Sequence, residues 1–136
     1  MSRTSPNPGS REPSSRLAIL VVDDDQSLRT LLERGLAQGG FTVYLAKDGL
    51  EAVEFYGRQG SEVDLVLLDI RMPGLDGPQT LRALRKQHRA IRCCFISGHS
   101  GDCSQEELLG MGAEYYFEKP FSLQLVAAKL KEILRG

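Results

Sequence analysis

Acidic, hydroxyl and basic side chains follow four different apolar segments of this sequence. Asp23–Asp25 follows the first segment, and Asp69, Ser97 and Lys119 follow three later ones. Carboxylates that lie together raise one another's pKa unless a cation neutralises them, and Mg²⁺ suits such a set because it prefers oxygen ligands and commonly bridges carboxylates to phosphate. A lysine and a hydroxyl can pair with the other phosphate oxygens. The pattern predicts a Mg²⁺-assisted site of phosphoryl transfer with an aspartate nucleophile.

Apolar runs and amphipathic stretches alternate along the rest of the chain. The runs are typical of strands buried on both faces of a parallel sheet. The predicted strands are Leu17–Val22, Phe41–Ala46, Leu65–Leu68, Cys93–Ile96 and Tyr115–Phe117. Helical spacing is clearest at Leu28, Leu31, Leu32 and Leu36, and further helix starts are predicted at Asp48, Gly77, Ser104 and Ser122.

Five strands alternating with five helices predict an α/β fold, a doubly wound five-stranded parallel sheet with helices on both faces. In such sheets ligands bind beyond the carboxyl ends of the strands. The acidic, hydroxyl and basic residues fall at those ends. No glycine-rich phosphate loop follows the first strand, which argues against a dinucleotide or nucleoside-triphosphate site.

Composition limits the classes of protein that remain. The chain has 136 residues and a net charge of -1, so it holds one domain and has no bulk charge for binding nucleic acid or an anionic membrane. Its three cysteines have neither a disulfide pattern nor a metal-ligand spacing. No apolar run is long enough for a transmembrane helix, and no secretory signal is present, so we expect a cytoplasmic protein.

Residues 1–16 differ from the rest, because they are rich in proline and serine and nearly devoid of apolar residues. Such a segment buries too little surface to offset its ordering entropy. We predict a disordered tail or linker over 1–16 and one folded domain over 17–136.

Four motifs together resemble the receiver domain of two-component response regulators. They are Val21–Asp25, Leu67–Gly77, Phe95–Gly98 and Glu118–Phe121, and their order and spacing all match. The resemblance extends from Leu17 to Arg135. It implies a flavodoxin-like sheet with strand order 2-1-3-4-5.

The resemblance also implies a role for each residue of the site. Asp69 is then the phosphoacceptor, and Mg²⁺ is the one cofactor, held by Asp23, Asp24, Asp69 and the backbone carbonyl of Arg71. Lys119 pairs with the phosphoryl group. The Lys119–Pro120 peptide bond is expected to be cis.

A conformational switch is implied as well. Ser97 is drawn toward the phosphoryl group, and Tyr116 moves into the vacated space. This repacks the face formed by the fourth helix, fifth strand and fifth helix, which a downstream protein partner reads. Strand alternation places Tyr115 and Tyr116 on opposite faces of the sheet, and the register with Lys119 favours Tyr116 as the switch.

The resemblance implies a phosphoacceptor in a phosphorelay and no enzyme in the ordinary sense, since such a domain catalyses only its own phosphorylation and dephosphorylation. The phosphoryl donor would be a histidine kinase or a histidine phosphotransfer protein, with no direct contact to nucleic acid or membrane. No effector domain is expected within this chain, which is either a stand-alone regulator or the receiver part of a longer protein.

Two other functions fit part of the pattern. A phosphatase of the haloacid dehalogenase type would use Asp23 as nucleophile and Asp25 as acid and base, but it leaves the motif around Asp69 unexplained. A phosphate-independent interaction module of the same fold has no reason to keep the acids together. Asp25 on its own reads better as a helix cap than as a metal ligand.

Two further groups of residues are predicted to have no special function. The basic residues Arg82, Arg85, Lys86, Arg89 and Arg92 are predicted to form a solvated face of the third helix and no nucleic-acid patch. Cys93 and Cys94 are predicted to be core thiols, and Cys103 lies in a loop.

Overall fold

The computed structural model describes residues 16–98 and 104–135. Its strands are β1 Ala18–Val22, β2 Thr42–Ala46, β3 Leu65–Asp69, β4 Cys93–Ser97 and β5 Tyr115–Glu118. Its α-helices are α1 Gln26–Gln38, α2 Gly49–Gln59, α3 Gly77–Gln87, α4 Gln105–Gly110 and α5 Leu123–Arg135. The predicted tail, residues 1–16, lies outside the described part except for Arg16, and so do residues 99–103 and Gly136.

The five strands form one parallel sheet in the order β2-β1-β3-β4-β5. The predicted doubly wound fold and its strand order are therefore confirmed. The order reverses between β1 and β3, because the chain first builds outward from β1 to β2 and then crosses to the other side. At that reversal the carboxyl ends of β1 and β3 are neighbours, which is where this class of sheet binds ligands.

Strand alternation divides the core into two apolar layers. On one side α1 and α5 cover the sheet, and Leu32, Leu36, Val126 and Leu130 pack against the odd-numbered residues of β1 and β3. On the other side α2, α3 and α4 cover residues of opposite parity, with Ala52, Leu81, Leu84 and Leu108 among the buried contacts. Cys93 and Cys94 are buried in opposite layers, which confirms that they are core thiols.

Side-chain caps start the helices close to the positions that the sequence predicts. Asp25 accepts hydrogen bonds from the backbone N–H groups of Ser27 and Leu28, and Asp48 accepts one from Glu51. Asp76 and Ser104 each form a reciprocal capping box with the residue three positions later. Such caps satisfy backbone donors that a helix N-terminus leaves unpaired. Asp25 is thus a helix cap, as predicted.

Two features differ from the sequence-based expectations. Leu31, which was assigned to the inner stripe of α1, is 52% exposed. A short 3₁₀ helix, Gly60–Glu62, follows α2 and was not predicted. Separately, no helix within the described residues is both long and apolar enough to cross a bilayer.

The basic residues of α3 and its following loop are only partly a solvated face. Arg82, Lys86 and Arg89 are exposed, as predicted. The prediction is wrong for Arg85, which donates hydrogen bonds to the carbonyl groups of Met111 and Gly112 after α4. It is also wrong for Arg92, whose guanidinium pairs with Glu114 and donates to the carbonyl of Ile133. All of these contacts join residues that are more than twenty positions apart, so local periodicity carries no information about them.

Candidate functional site

The predicted site residues meet at the carboxyl edge of the sheet. Asp23 and Asp24 follow β1, Asp69 ends β3, Ser97 ends β4, and Lys119 follows β5. Three of these residues are buried: Asp23 is 0% exposed, Asp69 3% and Ser97 1%. Parallel strands bring these ends together, so residues that are far apart in sequence share one rim.

Asp23 is held in place by its backbone and by one carboxylate oxygen. Its N–H donates to the carbonyl of Ala46 at 3.2 Å, and its carbonyl accepts from Arg29 Nη1 at 2.7 Å. Its Oδ1 accepts from the Asp25 N–H at 2.8 Å. The second oxygen, Oδ2, is buried and accepts no hydrogen bond from any residue in 16–98 or 104–135. Sequence reasoning missed Arg29, whose position one turn into α1 was the only signal for this contact.

Lys119 lies between the two buried carboxylates. Its Nζ is 3.6 Å from Asp23 Oδ2 and 3.8 Å from Asp69 Oδ1, and its side chain is 29% exposed. The backbone N–H of Lys119 donates to the carbonyl of Ser97 at 2.8 Å, which fixes the start of the β5–α5 loop against β4. The Lys119–Pro120 bond is cis, as expected from the sequence. The ammonium group of Lys119 thus faces the carboxylates of both Asp23 and Asp69.

Carboxylate crowding dominates the electrostatics of this rim. Oxygen atoms of Asp23, Asp24 and Asp69 all lie within 4.8 Å of one another. Burial raises the pKa of Asp69 to about 7, with a further increase from Asp23, while Lys119 and a backbone hydrogen bond from Arg71 oppose the rise. Burial also raises the pKa of Asp23. Lys119 alone therefore does not compensate the negative charge at this edge.

The donor set fits a divalent cation with hard, oxygen-preferring chemistry. It offers three carboxylates, and a buried oxygen of one of them, Asp23 Oδ2, has no hydrogen-bond donor within the described part of the chain. Asp24 is exposed, which leaves one side open to water. Mg²⁺ keeps several waters and needs few protein ligands, so these residues fit it. Asp25 is not part of the cluster, because its carboxylate caps α1.

A glycine brings α3 up against the end of β3. A Cβ atom on Gly77 would lie 2.6 Å from the carbonyl oxygen of Asp69 and 2.8 Å from the Cα of Ile70, so no larger residue fits there without a shift. The Gly77 N–H donates to the Ile70 carbonyl at 2.8 Å. The sequence marked Gly77 only as a helix start, because a close approach of distant backbone leaves no local pattern. This contact links the Asp69 strand directly to α3.

Arg71 lies beside the same entrance. It is exposed and, with Met72, Pro73 and Asp76, lines a shallow depression of about 330 Å³. Its predicted role as a backbone ligand stays a prediction. From its position two residues after Ser97, the sequence predicts that His99 borders the same entrance, and His99 lies outside the described residues.

The two adjacent tyrosines of β5 lie on opposite faces of the sheet, as alternation predicts. Tyr116 packs against the layer under α2, α3 and α4 and is paired in register with Phe95. Tyr115 packs in the other layer, with its ring 4.9 Å from that of Phe117 and Lys129 Nζ 4.6 Å from its centroid. Only Tyr116 therefore shares a face with α4. Both tyrosines are partly buried.

Comparison with known sequences gives one family. Residues 19–131 match the family described as response regulator receiver domain. The chain is 39% identical to the sensor kinase CckA of Brucella abortus over 121 residues, which are 89% of this chain and 13% of that protein. It is 39% identical to the transcriptional regulatory protein PrrA of Mycobacterium tuberculosis over 117 residues, which are 86% of this chain and 49% of that protein. The chain thus spans about half the length of such a regulator.

Solved structures agree with this result. The receiver domain of NtrX from Brucella abortus superposes with a TM-score of 0.78 at 31% identity, covering 86% of this chain and 98% of that one. The CheX-CheY-BeF3-Mg complex of Borrelia burgdorferi superposes with a TM-score of 0.81 at 28% identity, covering 88% and 90%. With the family match, the parallel sheet and the acidic rim in agreement, this chain belongs to the receiver domains of two-component response regulators.

Proposed function

We propose that this receiver domain accepts a phosphoryl group on Asp69 in a Mg²⁺-dependent reaction with a phosphohistidine donor. The observation that carries the proposal is the position of Lys119, whose Nζ lies within 4 Å of carboxylate oxygens of both Asp23 and Asp69. A lysine so placed can pair with an oxygen of a phosphoryl group on Asp69, while the remaining acids face the open side.

The reaction transfers a phosphoryl group between two side chains. An oxygen of the ionised Asp69 carboxylate forms a bond to phosphorus as the phosphorus–nitrogen bond of the donor histidine breaks. The electron pair of that bond stays with the imidazole, which takes up a proton. Hydrolysis later returns Asp69 and inorganic phosphate, so the domain turns over no external substrate other than its donor.

The residues that would hold Mg²⁺ are Asp23, Asp24, Asp69 and the backbone carbonyl of Arg71. Bound there, the ion neutralises charge on the carboxylates and on the phosphoryl oxygens. The chain itself keeps Asp23 oriented through the Arg29 and Asp25 contacts. It also keeps Asp69 poised in a mostly buried position where one face of the carboxylate meets Lys119.

The switch would use Ser97 and Tyr116. Phosphorylation adds charge and three acceptor oxygens at Asp69, which favours a Ser97 hydroxyl turned toward them. Tyr116 lies half-buried on the same face as α4, so its ring can move further inward when the space behind β4 opens. Two packings of one layer then differ in population according to the state of Asp69.

The α4-β5-α5 face is the proposed site of the downstream protein. A groove of about 390 Å³ lies there, lined by residues that include Gln105, Tyr116, Pro120 and Leu125. Leu125 is 57% exposed. A structural relative, the Borrelia burgdorferi CheY, was solved in complex with CheX, BeF3 and Mg. A protein that reads this groove would sense the position of Tyr116.

The proposed donor is a histidine kinase or a histidine phosphotransfer protein. One relative is itself named a sensor kinase, and this chain matches 13% of its length. A cytoplasmic location belongs to the same proposal, because such donors draw their phosphoryl groups from ATP. No contact with nucleic acid or membrane is proposed for this domain.

The test is phosphorylation of purified protein with Mg²⁺ and a small phosphodonor such as phosphoramidate, followed by intact-mass spectrometry. The wild type is expected to gain the mass of one phosphoryl group, and Asp69→Asn is expected to gain none. Asp25→Asn is the matched control, because it removes a neighbouring carboxylate while asparagine still caps α1. This control is expected to be phosphorylated like the wild type.

The opposite results would separate the alternatives. Phosphorylation that survives Asp69→Asn overturns the proposal. Incorporation at Asp23 and not at Asp69, in a peptide map of the phosphorylated wild type, would instead indicate a nucleophile at Asp23. No gain of mass in the wild type, with Mg²⁺ at millimolar levels, would indicate an interaction module that does not use phosphate.

A further inference from the structure

Arg85 connects α3 to the end of α4 in a way that the phosphoryl site itself does not require. Its Nη1 donates to the carbonyl of Met111, and its Nη2 lies 3.5 Å from the carbonyl of Gly112. These carbonyl groups belong to the turn that ends α4, where a helix leaves acceptors unpaired. A cation there also interacts favourably with the helix dipole. Arg85 therefore acts as an anchor for the C-terminal end of α4.

The backbone of the turn is shaped for this contact. Gly112 has a φ of 88°, a conformation that residues with a Cβ rarely adopt. A Cβ at Gly112 would also lie 3.0 Å from Arg85 Nη2. The space and the carbonyl direction at this turn thus suit a guanidinium from the neighbouring helix.

The anchored turn belongs to the layer that contains Tyr116. Leu108, at the end of α4, and Ala113, after the turn, are both buried in that layer. Tyr116 follows Gly112 by four residues, so a movement of its ring and backbone pulls on the chain that Arg85 holds. At its other end α3 begins at Gly77, in contact with the carbonyl of Asp69. The helix α3 thus joins the phosphoacceptor strand to the end of α4.

The anchor is incompletely satisfied. The Nε of Arg85 is buried and has no hydrogen-bond acceptor among the residues that the structure describes. A buried donor without a partner costs part of the free energy that the other two contacts supply. The contact is therefore one that the protein can give up when the layer repacks.

We propose that Arg85 is a positioning residue for the switch, and that it holds the end of α4 against the rearrangement that phosphorylation favours. This inference rests on the proposed function. Arg85 touches neither the phosphoryl group nor the acids; it sets how much free energy the site must supply to move the α4-β5-α5 face. Removing the Arg85 side chain lowers the free energy needed for this movement, so the domain responds more readily to phosphorylation.

The test compares wild type with Arg85→Ala and with the control Arg82→Ala, whose side chain lies exposed one turn earlier on α3. The first readout is the beryllofluoride concentration that half-saturates the shift of the Tyr116 amide resonance at fixed Mg²⁺. Arg85→Ala is expected to respond at a concentration about fivefold lower than wild type. Arg82→Ala is expected to match wild type, and the affinity of all three for Mg²⁺ alone is expected to be equal.

The second readout is hydrogen exchange. The amides of residues 108–113 are expected to exchange about tenfold faster in Arg85→Ala, while those of β3 are unchanged. Arg85→Lys keeps the charge and one donor, and it is expected to lie between wild type and Arg85→Ala in both readouts. If Arg85→Ala fails to fold, Arg85→Lys alone still decides the question.

Each result has one meaning. A response of Arg85→Ala at the wild-type concentration or a higher one overturns the role of Arg85 and leaves the proposed function intact. A wild type that shows no beryllofluoride response at all overturns the proposed function, and with it this inference. A loss of Mg²⁺ affinity in Arg85→Ala would show that the substitution disturbs the acidic rim, which also contradicts a role confined to α4.

Discussion

The layer under α1 and α5 and the carboxyl edge of the sheet are both buried, but they bury opposite kinds of groups. The layer buries apolar side chains such as Leu36, Phe117 and Leu130. The edge buries Ser97 together with the carboxylates of Asp23 and Asp69, whose oxygen atoms lie within 4.8 Å of each other. Burial of apolar surface stabilises the fold, whereas burial of charge without full pairing destabilises it. The comparison shows that the apolar layers stabilise a rim that is organised for binding.

Thr80 lies between these two cases. It is buried in α3, and its Oγ1 has no hydrogen-bond partner within the described residues. It is a polar group in an apolar layer, several residues from the acids. Removing apolar volume from the layer should therefore lower the free energy of unfolding, whereas removing the carboxylate at the edge or the hydroxyl of Thr80 should raise it.

The largest effect is expected from a cavity in the apolar layer. Leu130→Ala should lower the free energy of unfolding by about 2–5 kcal/mol, because Leu130 is fully buried and its neighbours refill a cavity only in part. Urea denaturation measures the change. The control Leu125→Ala, at a 57% exposed position of the same helix, should change stability by less than about 0.5 kcal/mol. Equal effects of the two substitutions would contradict the assignment of this layer as the core.

A stabilising effect of opposite sign is expected at the edge. Burial raises the pKa of Asp69 to about 7, above its ordinary value of 3.8. Between these two pH values the unfolded chain has lost a proton that the folded protein keeps, so the free energy of unfolding falls as pH rises through this window. Asn at this position does not titrate. In EDTA at pH 8, Asp69→Asn should therefore be more stable than wild type by about 2 kcal/mol.

Denaturation curves at pH 4 and pH 8 test this expectation. The advantage of Asp69→Asn should be much smaller at pH 4, where the wild-type carboxyl is protonated in the folded state. Added Mg²⁺ should reduce the advantage at pH 8, because a bound cation stabilises the wild-type carboxylates. If the stability difference between Asp69→Asn and wild type does not depend on pH, or if the variant is less stable at pH 8, then the ionised Asp69 carboxylate does not destabilise the fold.

The smallest effect is expected at Thr80. Thr80→Val replaces a buried, unpartnered hydroxyl by a methyl group of similar size, so it should raise the free energy of unfolding by about 1 kcal/mol. Thr30→Val is the matched control, because Thr30 is a partly exposed threonine in α1. It should change stability by less than about 0.5 kcal/mol. If Thr80→Val is less stable than wild type, then the Thr80 hydroxyl makes a stabilising interaction in this layer.

Much of the site could be read from the sequence because it depends on strand ends. Asp23, Asp69, Ser97 and Lys119 each follow an apolar run, and parallel strands place such ends together whatever the details of packing. It was also predictable that Asp25 caps a helix and does not join the acidic cluster, because its capping contacts are only two and three residues away. The individual roles of these residues in phosphoryl transfer stay predictions until the experiments above are done.

Other features had no local signal. Leu31 is 52% exposed although the helical stripe alone predicts an inner position, because periodicity does not show how much of a stripe the neighbouring elements cover. The contact of Arg29 with the Asp23 carbonyl depends on a backbone group, which the side-chain pattern does not describe. The unpartnered hydroxyl of Thr80 reflects how α2 and α3 pack, with Gly49 directly opposite.

The sequence by itself determined the class of fold, the strand and helix segments, the caps and the set of residues at the rim, because each of these follows from periodicity or from hydrogen bonds within a few positions. Tertiary structure alone decided which long side chains join distant elements. Arg85 and Arg92 have the same charge and lie seven positions apart, yet one holds the turn after α4 and the other pairs with Glu114 beside β5. Their partners are set by the relative placement of whole elements in three dimensions, and that placement results from the packing of both layers at once.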